Sequence, residues 1–380
     1  MRRRDAIHAI AFAALCAAMW FVPPVRPLAD DGGIPIRARV VSVDDSGITL
    51  TGLLEYGTQN LEVELLGGDA AGKVFRASNE LRAQLDLDKK FSVGDVALVT
   101  WPDGGAKEGE VLIARDHWRL GWAGFLFAAF CLLLVLFGGW TGAKALFSFV
   151  FSCLAVWKLL VPLCLSGWSA SMVSFVSVSA LTAVIMYLVA GFTRRGIGAF
   201  LGAMLGVFAS LLLAWFFTDA MHVTGATMPF VQALLYSGYP DLDFADIFNG
   251  AVILASSGAL MDLAMDIAAG VDEVARHNPA LPRRELFFSG LRIGRSVVGT
   301  MTTTLLLAYS GGYLTLLMVF AAQGTPPLAF LNSTLVSAEM VKTLVGSFGL
   351  VLVAPFTAFV SSALFRPASE LPSSQRAEQS

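Results

Sequence analysis

NGAVILASSGALMDLAMDIAAG, at residues 249–270, is an apolar segment long enough to cross a bilayer, which takes about 20 residues. The basic connection VDEVARHNPALPRRELFFSGLRIGR (271–295) follows it, and the apolar segment SVVGTMTTTLLLAYSGGY (296–313) returns. The first segment carries two carboxylates, Asp262 and Asp266, one helical turn apart. Ionisable side chains inside a bilayer are costly and usually face a cavity or a partner. We therefore expect the functional site in this helical hairpin.

The composition of the whole chain agrees with a membrane protein. Of 380 residues, 56% are hydrophobic and 14% are charged, whereas soluble proteins contain roughly 25% charged residues. The four cysteines fall in or at the ends of apolar segments without CxxC spacing, so we expect neither a disulfide framework nor a zinc site. We also find no cofactor motif and no feature of nucleic-acid binding, and we predict neither metal nor cofactor.

The sequence divides into four regions. The first has a basic start and an apolar core and is predicted to be an uncleaved signal anchor that forms the first transmembrane helix. An exported β-domain, a seven-helix membrane domain and a disordered cytoplasmic tail are predicted to follow. These regions span residues 1–29, 30–118, 119–366 and 367–380.

The second region has the pattern of a small all-β domain. Short runs rich in β-branched residues, such as IRARVVSV and DVALVTW, alternate with clusters of Gly, Asp and Asn. We predict a compact barrel, with the oligonucleotide/oligosaccharide-binding (OB) topology as a candidate. Because the region lacks a basic patch interleaved with aromatic residues, this topology would not imply nucleic acid here. An extracytoplasmic protein or ligand is the expected partner of the domain.

The third region contains a close succession of apolar segments, each long enough to span the bilayer. With the anchor they predict an α-helical integral membrane bundle of about eight transmembrane helices. Basic residues cluster on alternate connections, which places both termini in the cytoplasm and the β-domain outside. The segments are 122–139, 143–165, 170–191, 197–217, 246–270, 296–321 and 336–365.

The polar residues of the hairpin suggest two roles for its carboxylates. If the first helix reaches the cytoplasm near Gly270, Asp266 lies about 6 Å inside and Asp262 about 12 Å inside. The same measurement from Arg295 places Thr300 level with Asp266, and places Thr303 and Thr304 level with Asp262. Asp262 is therefore a candidate for binding a cation or a proton with threonine co-ligands, since oxygen ligands suit hard cations. Asp266 is expected either to form an ion pair with Arg292 or Arg295 that locks or gates the hairpin, or to take part in binding.

Glycines mark two further features of the membrane domain. Gly311 and Gly312 are candidates for a helix break, which transporters use at binding sites, although tight packing would also explain them. Gly198, Gly202 and Gly206 form a small-residue ridge that predicts close helix packing. The ridge could serve an internal contact or a contact between subunits, so oligomer formation stays open.

The chain resembles the YibE/F-like family of bacterial membrane proteins in several blocks. The most distinctive are GALMDLAMDIAAGVDEV (258–274), NPALPRRELFFSGLRIGRSVVGTMTTTLLLAYSGG (278–312) and EMVKTLVGSFGLVLVAPFTA (339–358). The exported region and the first helix after it also resemble the family. The resemblance implies a multi-pass protein of the bacterial inner membrane with an extracytoplasmic domain, and it implies no particular substrate. The matching positions are Asp262, Asn278, Pro279, Gly294, Arg295, Gly299, Thr300 and Met301.

Two positions of the hairpin depart from the family pattern. Asp266 and Ser296 stand where the family has other residue types, such as Ser and Asp respectively. An acidic group thus changes sides of the hairpin, and Asp266 is expected to matter less than Asp262.

Two functions fit these features. The first is a transporter or permease component in which Asp262 binds a cation or relays a proton. The second is a non-transporting membrane scaffold that engages a partner through the β-domain. We do not expect an enzyme, because two carboxylates on one helix do not face each other across a water molecule as those of an aspartyl protease do.

Overall fold

The computed structural model describes residues 33–365, except 86, 103, 107 and 108. The predicted signal anchor and the C-terminal tail lie outside the described residues. The chain divides into a β unit and a helical unit, with the division inside a long helix between Leu134 and Val135.

The described part of the β unit contains six strands. They are β1 (Gly33–Asp44), β2 (Ile48–Thr51), β3 (Leu54–Leu65), β4 (Val74–Arg82), β5 (Val96–Pro102) and β6 (Leu112–His117). Strand β1 pairs antiparallel with both β3 and β5, and Ala38 lies opposite Leu65 on one side and Ala97 on the other. Strands β3, β4, β6 and β5 complete the ring, with one parallel pairing between β4 and β6. The result is a closed five-stranded barrel, with β2 paired to the edge of β3.

The barrel core follows from side-chain alternation. On β3, Leu61, Val63 and Leu65 are buried and the residues between them are more exposed, as expected when one face of a strand lines a core. Phe91, on the connection between β4 and β5, fills this core with 2% of its surface exposed. The prediction of a small all-β domain is confirmed.

The helical unit and the long helix that leads into it contain the remaining elements. They are α1 (Leu120–Ala155), a π-helical turn (Val156–Leu160), α2 (Val161–Leu165), α3 (Ala170–Ala190), α4 (Arg194–Ala220), α5 (Val231–Tyr236), α6 (Phe244–His277), α7 (Arg283–Gly312), α8 (Leu314–Ala322), α9 (Pro327–Leu331) and α10 (Thr334–Leu364). Polar side chains cap the starts of four long helices and accept backbone N–H groups there: Ser169 for α3, Thr193 for α4, Asp243 for α6 and Ser333 for α10.

Among the described residues, five helical segments are long and apolar enough to cross a membrane, and the bent pair α7–α8 would make a sixth. The first segment, Leu120–Leu165, contains 46 residues and would be about 69 Å long if straight, more than twice the thickness of a bilayer core. Its helical geometry breaks at Gly139, where φ is 52° and ψ is −128°. The break lies at the end of the predicted segment 122–139, so two spans stay a prediction for this stretch.

The predicted span 296–321 differs from the structure in both start and shape. Helix α7 begins earlier, at Arg283, and α8 continues after Gly312 at an angle of 64°. Arg283 starts the helix directly after Pro282, whose extended backbone serves as the N-cap. The basic connection of the sequence is therefore mostly helical.

Helix α6 lies at the centre of the helical unit and packs against α3, α4, α7 and α10. Leu260, Leu263 and Ile267 on α6 are fully buried. Helices α4 and α10 run antiparallel in close contact, with Gly198 against Ser361 and Gly202 against Thr357. This packing determines which side of α6 stays open.

Candidate functional site

One side of α6 is exposed along most of the helix. It carries a stripe of small and acidic residues at helical spacing, which we call the carboxylate strip: Ala251, Ala255, Gly258, Asp262 and Asp266. The residues that follow each carboxylate are buried: Leu263 and Ala264 after Asp262, and Ile267 and Ala268 after Asp266. Within the described helical unit, Asp262 and Asp266 therefore lie on the outside rather than in the core.

Two contacts mark the borders of the carboxylate strip. On one side, Thr182 of α3 donates a hydrogen bond to the sulfur of Met261 at 3.0 Å. On the other side, the side chain of Ile293 of α7 lies so close to Gly270 that an added Cβ would be 2.6 Å from it. The strip thus lies between α3 and α7, and both carboxylates face the opening between these helices.

The contacts between α6 and α7 show which residues share a depth. A Cβ on Gly290 would lie 2.9 Å from Val271, and one on Gly294 would lie 3.2 Å from Ile267. Since the two helices run in opposite directions, continuing this register places Arg295 level with Asp266 and Thr300 level with Asp262. The sequence analysis placed Thr300 level with Asp266, which is one helical turn away from its position in the structure. The error arose because Gly270 and Arg295 were assumed to lie at the same depth.

The threonine hydroxyls bond within their own helix. Thr300 donates to the carbonyl of Val297 at 2.9 Å, Thr303 to that of Gly299 at 3.0 Å and Thr304 to that of Thr300 at 2.9 Å. All three side chains are exposed, and none of the described residues links a hydroxyl to Asp262 by a hydrogen bond. A hydroxyl that donates to a carbonyl still has lone pairs, so these oxygens remain able to accept a proton donor or to ligate a cation.

The expected ion pair between Asp266 and Arg292 or Arg295 is not formed among the described residues. Arg292 instead donates to the hydroxyl of Ser289 at 2.9 Å. Arg295 lies at the same depth as Asp266, but it is not on the side of α7 that faces α6. Ile293 marks the side of α7 that faces α6, and Arg295 lies about 200° further round the helix, at 100° per residue. Both arginines are exposed.

The glycines singled out in the sequence fall into two groups. Gly198, Gly202 and Gly206 lie in the contact between α4 and α10, where added Cβ atoms would be within 3.0 Å of Ser361, Thr357 and Val353. Their ridge is thus used inside the protomer. Gly311 and Gly312 form the exposed end of α7, with nothing within 4 Å of an added Cβ, and the 64° bend follows them directly.

A second polar site lies where α4 ends and α6 begins. It is a cavity of about 490 Å³ lined by Trp215, Thr218, Asp219, His222, Val223, Thr224, Asp243, Ala245, Asp246 and Asn249. Thr218 donates to the buried amide oxygen of Asn249 at 2.7 Å. No three His, Cys, Asp or Glu side chains of the described chain come together in a way that could hold a metal ion. The sequence leaves two interpretations open for these acidic residues, which either form a mouth that attracts cations or are solvated loop charges.

Asp246 ties the start of α3 to α6. Its carboxylate accepts hydrogen bonds from the hydroxyl of Ser169 at 2.8 Å, from the backbone N–H of Ser171 at 3.2 Å and from the hydroxyl of Ser171. We expect Asp246→Ala to lower the free energy of unfolding by about 2 kcal/mol, the scale of hydrogen bonds to a charged group. Thermal unfolding in detergent would measure this loss. Asp241→Ala, which changes an exposed aspartate just before α6, is the control, and equal losses in the two variants would contradict the structural role of Asp246.

Comparison with known proteins agrees with the membrane assignment. Searches of curated proteins and of solved structures gave no match. A model of one family, described as YibE/F-like protein, matches residues 126–367. This range covers more than half of the chain and includes the whole carboxylate strip, α7 and α10. The chain therefore belongs to the YibE/F-like protein family.

Proposed function

We propose that this membrane protein is a transporter or a permease component in which Asp262 binds a cation or relays a proton. The observation that carries the proposal is an exposed carboxylate in a helix long and apolar enough to cross a membrane, with no counter-charge among the described residues of its own chain. Such groups are costly in lipid and are generally found where ions or protons pass. A static role in holding the protomer together would instead require a partner for Asp262 within it.

The surroundings of Asp262 support a site for a hard cation or a proton. Thr300 lies level with it, and Thr303 and Thr304 lie about one turn further along α7, so that hydroxyl oxygens line one border of the strip. Oxygen ligands of this kind suit hard cations and proton transfer better than soft metals. Arg292 and Arg295, toward the predicted cytoplasmic end, would gate the site or orient its ligand. We place the protein in the bacterial inner membrane, with both termini in the cytoplasm and the β-barrel, which we assign an OB-like topology, outside.

Ion flux into proteoliposomes tests the proposal. Wild-type protein should transport at least one of protons, Na⁺, K⁺, Mg²⁺, Ca²⁺ and Mn²⁺, and Asp262→Asn should abolish that flux, because an amide is a neutral and much weaker ligand. Asp266→Asn should reduce flux less. Asp272→Asn is the matched control, since Asp272 lies on the same helix but pairs with Arg276 at 2.5 Å.

Two outcomes would overturn the assignment of Asp262. Flux that persists in Asp262→Asn at the wild-type rate would remove the site from this strip. The absence of flux for every tested ion, with protein correctly inserted, would argue against ion transport and favour the second function below.

A scaffold function is the alternative, and one surface of the barrel favours it. Leu53 is 95% exposed, Leu85 is 84% exposed and Leu50 is 66% exposed, and all three border the same cavity of about 330 Å³. Exposed apolar clusters often mark contacts with other proteins. If the protein is a scaffold, Leu53→Asp with Leu85→Asp should abolish the cellular function while Asp262→Asn should not. If the protein is a transporter, Asp262→Asn should abolish the cellular function and the double leucine variant should not.

A further inference from the structure

The surface of the protomer has a polar face where a lipid-facing surface should be apolar. The carboxylate strip is one half of this face. The other half is the outer side of α7, where Arg292, Ser296, Gly299 and Thr303 are exposed at helical spacing. Buried charges in membrane proteins face a partner or a water-filled cavity, and a cavity on the outside of a bundle requires another wall. Something must therefore cover this face in the membrane.

The first part of α1 lacks the chemistry to cover this face. Residues 120–137 contain no Asp, Glu, Lys or Arg. Packing them against the strip would leave Asp266 without a counter-charge in a medium of low dielectric constant. An apolar cover would thus leave the charge of Asp266 uncompensated.

A second copy of the chain has complementary charges at the right depth. A two-fold axis along the membrane normal leaves the depth of every residue unchanged, and it brings the same patch of both copies together. Arg295 shares the depth of Asp266, although within one protomer it points away from α6. The outer side of α7 is also built from small residues, which allow two membrane helices to approach closely.

We propose that two copies of this chain associate through the carboxylate strip and the outer side of α7, with Arg295 of one copy pairing with Asp266 of the other. Asp266 is then neutralised by the contact. Asp262, one turn deeper, meets the level of Thr300 and Thr303 of the second copy, where there are hydroxyls and no cation. The second copy thereby completes the oxygen-lined site around Asp262. This last step rests on the proposed function, whereas the dimer itself does not.

Cysteine cross-linking in native membranes tests the contact. Gly299→Cys and Thr303→Cys would be made singly in the full chain with the four native cysteines replaced by alanine. A Cβ at Gly299 meets nothing within 4 Å of its own chain, so this variant should fold. On oxidation we expect a disulfide-linked dimer to become the main species for both variants. Leu212→Cys, at an exposed site on α4, is the control and should stay mainly monomeric.

Each other outcome counts against the contact. If the cysteines at 299 and 303 react with a soluble thiol reagent but form no more dimer than Leu212→Cys, this face is not paired and the proposal fails. Equal cross-linking at all three sites would show random collision and would also reject it. In a chain that also carries Phe130→Cys in α1, a cross-link to this residue instead of a symmetric dimer would show that α1 is the cover.

Charge exchange separates the contact from the proposed function. Asp266→Arg and Arg295→Asp should each reduce the dimer fraction measured by single-molecule photobleaching in native nanodiscs, and the double variant should restore it. A double variant no more dimeric than either single variant would contradict the ion pair. This readout involves no transport, so it is independent of the proposed function. A dimer without ion flux would support the contact and refute the transporter. Ion flux from a monomer would refute the contact and support the transporter.

Discussion

Gly202→Leu is expected to prevent α4 and α10 from packing and to remove most folded protein from the membrane. A Cβ at residue 202 would lie 2.1 Å from the hydroxyl oxygen of Thr357 and 2.6 Å from its Cα. The Cα belongs to the backbone of α10, so the clash cannot be relieved by turning a side chain. Overpacking a core usually costs about 1–3 kcal/mol, and we expect more than about 3 kcal/mol here because the two helices must separate. Yield on size-exclusion chromatography and thermal unfolding in detergent would measure the loss.

A matched control and a rescue make this prediction specific. Gly124→Leu in α1 adds the same side chain where nothing lies within 4 Å of a Cβ, and it should leave the yield unchanged. Gly349→Ala brings a Cβ to 2.0 Å from the hydroxyl oxygen of Ser210 but only to 3.4 Å from the Cβ of Ser210. Ser210→Ala should therefore restore most of the about 1–3 kcal/mol lost in Gly349→Ala.

The hydroxyl of Ser210 is buried and, among the described residues, has no hydrogen-bond partner. Removing it alone should thus cost little, which the Ser210→Ala single variant would show. If the double variant were no more stable than Gly349→Ala, or if Gly202→Leu folded like wild type, the antiparallel contact of α4 with α10 would be wrong.

Local patterns in the sequence predicted the elements of this protein better than their arrangement. Alternating apolar residues such as Leu61, Val63 and Leu65 predict a strand with one buried face, and lengths of apolar sequence predict helices that can span a bilayer. Both the strand pattern and the helix pattern depend only on residues that are close together in the sequence. The closure of the barrel through the parallel pairing of β4 with β6 joins residues far apart in sequence, and no local pattern indicates it.

The same distinction applies to the candidate site. The spacing of Asp262 and Asp266 predicts that they share one face of a helix, and in the structure both lie on the exposed side of α6. Which neighbours cover that face depends on the packing of α3 and α7 around α6. Arg295 was expected to pair with Asp266 because both lie near the same end of the hairpin. The ion pair also requires Arg295 to point toward α6, and the contact of Ile293 with Gly270 turns it away. Depth can be counted in residues, whereas direction depends on helix contacts.

Gln59→Leu is expected to destabilise the barrel more than any exposed substitution in it. Gln59 is completely buried. Its side-chain oxygen accepts from the backbone N–H of Phe91 at 3.0 Å and from the side-chain amide of Asn79 at 3.1 Å. Its amide donates to the carboxylate of Asp45 at 2.8 Å and to the carbonyl of Phe91 at 3.0 Å. Leucine has a similar volume but makes none of these bonds.

The cost follows from the groups that leucine would leave unpaired. The N–H and carbonyl of Phe91 are buried, and each unsatisfied buried group costs about 1–3 kcal/mol, so we expect a loss of about 3 kcal/mol or more. Hydrogen exchange of the amides in β3 and β4 of the full-length protein would measure it. Gln84→Leu, at an exposed position of the same unit, is the control and should leave exchange unchanged.

The Gln59→Leu variant also discriminates between the two functions. Its site lies in the core of the barrel, which is a separate cluster from the core around α6. A scaffold that holds its partner through the barrel should lose function when the barrel opens. A transporter whose site is Asp262 should retain ion flux in proteoliposomes, because the carboxylate strip and α7 are unchanged. Flux lost together with barrel protection would show instead that the barrel is part of the transport pathway.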